Sequence, residues 1–362
     1  MTQTSTSQHL QLHPTQLSHL LHKRYMRLRH LLALSDPRLY TPTQLRIRSH
    51  WRNMAAAPPP NRPIKILMLH GYTQSGPLFQ AKTGALRKTL QKAFPKGCEL
   101  VYPTAPIRLT PSDESFLAGS TGKDGGQSKD EGDDRNRDGE EEEIDAWAWW
   151  RRKGQGENIV YEGIEEGLES IARVLKDKGP FDGVIGFSQG GACAAMIASL
   201  LEPGRREAFD KQQEQGSGGM PFPRSFEAEE QQQEQDTTTT TGTHRRKREV
   251  IHAPLLFAVS YSGFAPQGRS HPYRAFFSPP IVTPFLHFLG SQDVVVDEAR
   301  SLELVRACVG DEDRFVVYHP GGHFLPSTQK ACVNALVGFL KEVLSREEED
   351  RGEGVEDMDV PF

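Results

Sequence analysis

The chain has 362 residues, a formal net charge of −5 and a hydrophobic fraction of 36%. So nearly balanced a charge gives no whole-molecule reason to expect nucleic acid or an acidic membrane as partner, and no apolar run reaches the ~18 residues that span a bilayer. The low hydrophobic fraction coexists with densely apolar segments, which points to one globular domain diluted by polar insertions.

Residues 1–60 are rich in Ser, Thr, Gln, His and Arg, with Asp36 as the only acid. Leu17, Leu20, Leu21, Leu28, Leu31 and Leu32 lie among basic residues there, as in an amphipathic targeting helix. The expectation is a disordered or targeting extension, with a mitochondrial address if residues 1–53 act as a transit peptide. Met54 stands as an alternative start. The run Ile64–Leu69 is too short for a helix and stops at His70-Gly71, so it reads as a buried strand. A helix is expected over Phe79–Phe94 and a second strand over Glu99–Tyr102. Residues 110–143 are low-complexity and acidic, and are expected to be a disordered insertion.

Helical spacing of Ile164, Leu168, Ile171 and Leu175 predicts a helix over Asn158–Lys178. Val184–Phe187 reads as a strand and Gly190–Leu201 as a helix of small residues. Residues 203–250, with Gln/Glu blocks, a threonine run and the basic HRRKRE segment, are expected to be a second disordered insertion. Beyond it, Leu255–Tyr261, Pro284–Leu289 and Arg314–Tyr318 read as strands. Asp297–Cys308 and Gln329–Leu344 read as helices, and residues 346–362 as an acidic disordered tail. Short apolar runs alternating with helices predict an α/β fold, a mostly parallel central sheet with helices on both faces, over residues 61–345.

The sequence Gly186-Phe187-Ser188-Gln189-Gly190 ends one strand and opens one helix. A nucleophile elbow requires small residues two before and two after the serine, and both positions are Gly. A serine hydroxyl is weakly nucleophilic and needs a base. On such a scaffold the acid and the histidine follow in chain order, each after a later strand. Asp293 follows the strand Pro284–Leu289; its rival, Asp297, fits an N-cap better. His323 follows Arg314–Tyr318 in His319-Pro320-Gly321-Gly322-His323, with His319 as the lesser alternative. The oxyanion donors are expected to be the backbone N–H groups of Gln189 and Tyr72. His70, and Trp150 of the AWAWW cluster, are expected to line the substrate pocket, although the tryptophans also suit a core. GxGxxG, Walker and HExxH motifs are absent, and Cys98, Cys193, Cys308 and Cys332 show no metal-ligand or disulfide spacing. Neither a metal nor a cofactor is expected.

The blocks ILMLHGYTQSG, AWAWW, GPFDGVIGFSQGGACAAMIASLL, FLGSQDVVV and HPGGHFLPS resemble the FSH serine hydrolases, relatives of acyl-protein thioesterases and carboxylesterases, over about residues 64–342 outside the two insertions. The resemblance implies an α/β-hydrolase fold and a Ser188–Asp293–His323 triad. It implies a cofactor-free esterase or thioesterase acting on small-molecule acyl substrates, located in the cytoplasm or nucleus. The same scaffold could serve as a carrier-protein thioesterase or an amidase, or persist as a non-catalytic binding protein.

Overall fold

The structure is a computed structural model, and it describes residues 61–110, 113, 145–154, 159–216, 218–228, 250–265, 272–310 and 315–356. The expectations for residues 1–60, for nearly all of the first insertion and for the HRRKRE segment lie outside the described residues.

The chain runs β1 (Ile64–Leu69), α1 (Gly76–Lys82), α2 (Gly84–Ala93), β2 (Cys98–Val101), β3 (Ile107–Arg108), β4 (Trp147–Ala148), β5 (Arg151–Lys153), β6 (Val160–Glu162), α3 (Ile164–Lys178), β7 (Gly183–Phe187), α4 (Gln189–Leu200), α5 (Arg205–Glu214), β8 (Phe257–Tyr261), β9 (Phe285–Gly290), α6 (Glu298–Arg306), β10 (Val316–His319) and α7 (Lys330–Glu356). Six strands form one sheet in the order β2-β1-β7-β8-β9-β10, and every neighbouring pair is parallel. β3–β4 and β5–β6 are small antiparallel pairs outside it. The strand order reverses between β1 and β7. In open parallel sheets, the loops that leave the carboxyl ends of strands at such a reversal run to opposite sides, and sites are built at that edge.

Side chains alternate between the two faces of the sheet. Leu67, Leu69, Val184, Ala258 and Phe285 pack with α3, α4 and Phe209 of α5. Ile64, Ile66, Met68, Ile185, Val259 and Leu286 pack with Leu86 and Leu90 of α2 and with Leu336, Phe339 and Leu340 of α7. Strands buried on both faces read as continuous apolar runs, as these do. Every residue of α4 is buried, and its Gly and Ala positions let it lie close against the sheet. This is the α/β-hydrolase arrangement.

Several expectations are corrected. The helix expected over Phe79–Phe94 is two helices, because Thr83 takes φ −98° and ψ 13° and its Oγ1 donates to Phe79 O at 2.7 Å. The helix expected from Asn158 begins at Ile164, after strand β6 and a left-handed Gly163. The second insertion is not disordered throughout: residues 205–214 form α5. The Arg205 guanidinium anchors it, buried, with Nη2 donating to Glu202 Oε2 at 2.6 Å and Nη1 to Pro279 O at 2.5 Å. Glu202 Oε1 in turn accepts N–H from Val282 and Thr283 at 2.7 and 2.8 Å. The tail expected from residue 346 is helical to Glu356 as the end of α7. Among the described residues no helix is long and apolar enough to cross a membrane.

Candidate active site

Ser188 sits between β7 and α4 with φ 54° and ψ −116°, a conformation that L side chains seldom adopt. Its N–H donates to Tyr261 O of β8 at 2.8 Å, which holds the turn to the sheet. The flanking glycines are required by space. A Cβ on Gly186 would stand 2.0 Å from Gly190 O, and one on Gly190 would stand 2.2 Å from Leu69 O. Close approach of α4 to β1 and β7 therefore depends on both.

His323 lies in the loop after β10, its ring tilted on Phe187 at 4.9 Å between centroids. Nε2 is 2.8 Å from Ser188 Oγ, and Nδ1 is 2.8 Å from Asp293 Oδ2. Asp293 lies in the loop after β9, where Oδ1 accepts N–H from Val295 and Val296 at 3.0 and 2.9 Å. Burial pushes the Asp293 carboxyl up, but hydrogen bonds from His323 and Val296 outweigh it and hold the group below its ordinary value. An ionised carboxylate only accepts. Nδ1 therefore carries the proton, and Nε2 is left to accept the Ser188 hydroxyl. The two loops are tied by Ser291 N–H to His319 O at 3.0 Å and Gln292 N–H to Gly321 O at 2.9 Å. Backbone contact between neighbouring strand ends thus sets the acid–imidazole distance.

The rivals fall elsewhere. Asp297 caps α6, accepting Arg300 N–H at 3.0 Å. His319 is the last residue of β10, buried with its ring edge-on to Phe324 at 5.0 Å. Burial raises all four thiols, Cys98 to about 12 and Cys332 to about 11, so none is poised as a nucleophile.

Gln189 N–H is the first of α4, ahead of any intrahelical acceptor and at the positive end of the helix dipole. Tyr72 lies in the loop after β1. That loop is closed by Gln74 N–H to Gly71 O at 3.3 Å and pinned by Thr73 N–H to Trp147 O at 3.0 Å, with Thr73 at φ 64°.

The expectation that His70 and Trp150 line the pocket is not met. His70 is 0% and Trp150 1% exposed, so neither offers a surface to a substrate. The His70 ring bridges backbone: Nδ1–H donates to Gly71 O at 2.7 Å and Nε2 accepts Ala105 N–H at 3.0 Å. Burial pushes it down to about 4, so it is neutral at pH ~7. Trp150 stacks on Tyr161 at 5.0 Å, and Tyr161 stacks on Tyr273 at 4.6 Å. Sequence reasoning did not single out Val294 and Val295, which follow Asp293, or Phe324, which follows His323; all three are large apolar residues left exposed. Apolar residues in an otherwise polar loop were the available signal.

The serine hydrolase (FSH1) family model matches residues 60–335. A Schizosaccharomyces pombe protein named dihydrofolate reductase is 30% identical over 273 residues, covering 74% of this chain but only 44% of that protein, so the chain spans less than half of that relative. Danio rerio esterase OVCA2 is 30% identical over 273 residues, covering 73% of this chain and 91% of that protein. Saccharomyces cerevisiae family of serine hydrolases 3 is 29% identical over 283 residues, covering 78% and 85%. The chain is a serine hydrolase and belongs to the FSH1 family.

Proposed function

We propose that the protein cleaves carboxylic ester or thioester bonds of small acyl substrates through Ser188, His323 and Asp293. The observation that carries this reading is the unbroken relay of two 2.8 Å contacts from Ser188 Oγ through the imidazole to Asp293. His323 Nε2 takes the hydroxyl proton as Oγ attacks the carbonyl carbon. The carbonyl oxygen becomes an oxyanion held by the N–H groups of Gln189 and Tyr72. Asp293 keeps the imidazole in its Nδ1–H tautomer and stabilises the imidazolium. The imidazolium protonates the leaving alcohol or thiol, and an acyl-serine remains. Water then gives its proton to Nε2, attacks the acyl carbon and releases the acid, and Ser188 regains its proton. The exposed apolar side chains of Val294 and Val295, next to Asp293 in sequence, and of Phe324, next to His323, support an apolar acyl group in the substrate.

The test is a panel of p-nitrophenyl esters, acyl thioesters and arylformamides. Wild type should turn over esters or thioesters, and Ser188→Ala should lose on the order of 10⁶ in kcat. Turnover by Ser188→Ala at the wild-type rate would refute the reading, and turnover of amides alone would replace the substrate class.

A further inference from the structure

A continuous chain of hydrogen bonds joins the helix after the nucleophile to the loop after β1, and the chemistry above makes no use of it. Gln189 is 5% exposed, and its carboxamide lies against the backbone of Trp149 and Trp150. Its Oε1 accepts Trp149 N–H at 2.9 Å, and its Nε2 donates to Trp150 O at 2.8 Å. The Trp149 indole Nε1–H donates to His70 O at 2.9 Å. His70 then donates to Gly71 O and accepts Ala105 N–H, as described above. Trp147 O completes the attachment by accepting Thr73 N–H. A carboxamide presents one donor and one acceptor side by side, as a neighbouring strand does. Glutamine alone among long side chains can therefore hold both groups of this backbone stretch.

We propose that the Gln189 side chain is a positioning residue for the oxyanion hole. By clamping the Trp149–Trp150 backbone, it fixes the separation between its own backbone N–H and that of Tyr72. The proposal rests on the reading of those two N–H groups as the oxyanion donors. One donor rides on a rigid helix. The other sits in a loop that is held in place by Trp147, His70 and Trp149. Donors must stand ~2.7–3.1 Å from the oxyanion, a tolerance that a slack loop loses. The helix and the loop belong to different strands of the sheet, and this carboxamide is a side-chain link between them.

The test compares wild type with Gln189→Met and Gln189→Glu, which keep the backbone N–H. Met removes both bonds, and Glu removes the donor to Trp150 O. Active sites are titrated with a fluorophosphonate; kcat and KM are then measured on a p-nitrophenyl ester. A trifluoromethyl ketone, which forms an oxyanion on the serine, reports the hole directly. Gln189→Met should lower kcat per titrated site ~10–100-fold with KM within ~2-fold, and should weaken the ketone by the factor lost in kcat/KM. Trp149→Phe, which loses the indole N–H to His70 O, should act in the same direction. The double variant should be no worse than the poorer single, because one break opens the clamp. A structural role alone would lower Tm but leave kcat per site and ketone affinity at wild-type values, and that result overturns the proposal. Should Trp149→Phe fail to fold, the two Gln189 variants decide alone. Wild-type labelling with an unperturbed Gln189→Met defeats the clamp only; absence of wild-type labelling defeats the clamp and the reading of the site together.

Discussion

Lowering the pH from about 7.5 to about 5 should weaken the fold by about 4 kcal/mol through two histidines. Burial pushes His70 down to about 4 and His287 down to about 3. In the unfolded chain both titrate near 6.5. A group depressed in the fold contributes no penalty above 6.5, where it is neutral in both states. Below 6.5 the unfolded chain takes up protons that the native state refuses, and stability falls. At pH ~5 each unfolded histidine gains about 2 kcal/mol from protonation, since 1.5 units at 1.36 kcal/mol is about 2. The folded rings are still neutral there, so the result depends only on both values lying below that pH. His319, also pushed down by burial, adds in the same direction. The loss is large against a typical total stability of ~5–15 kcal/mol. Urea unfolding at the two pH values, on wild type and His287→Leu, is the assay. His287 stacks on Phe285 at 4.5 Å in an apolar layer that leucine can occupy. The variant should lose about 2 kcal/mol less than wild type over the same interval. An equal loss in both proteins would refute the claim that His287 is held neutral.

Asp293→Asn should lower kcat ~10⁴-fold with little change in KM, because an amide NH₂ facing Nδ1 selects the wrong imidazole tautomer. Steady-state kinetics on an ester at pH ~7.5 checks it, and a loss under about tenfold would remove Asp293 from the relay. Arg205→Met should destabilise the fold by ~3–5 kcal/mol, because Glu202 would be left as a buried carboxylate without its cation. The urea midpoint reads this directly, and a shift worth under ~1 kcal/mol would show that the pair does not hold α5 to the Pro279–Thr283 segment.

Ser188 was legible because an elbow is a local pattern: strand, small residue, serine, small residue, helix. The meeting of Asp293 and His323 at Ser188 was legible through chain order and position after a strand, since parallel strands deliver all their following loops to one edge. The Gln189 side chain was not, because its partners Trp149 and Trp150 lie 40 and 39 residues away in sequence. His70 was misplaced for a different reason. A residue at a strand end can face the crevice or turn beneath it, and only the acceptor and donor offered by Gly71 and Ala105 decide. Helix α5 was hidden because its sequence, RREAFDKQQE, reads as polar low complexity. Its placement rests on Arg205 and Phe209, two buried residues in an otherwise polar stretch. The break at Thr83 escaped because apolar spacing continues across it while one hydroxyl competes for the backbone carbonyl.

The most direct measurement of the central claim is fluorophosphonate labelling followed by peptide mass analysis, on wild type and on Ser188→Ala. The account predicts one adduct, on Ser188, formed rapidly by wild type and absent from the variant. A variant that labels as fast as wild type, or an adduct on another residue, would contradict it.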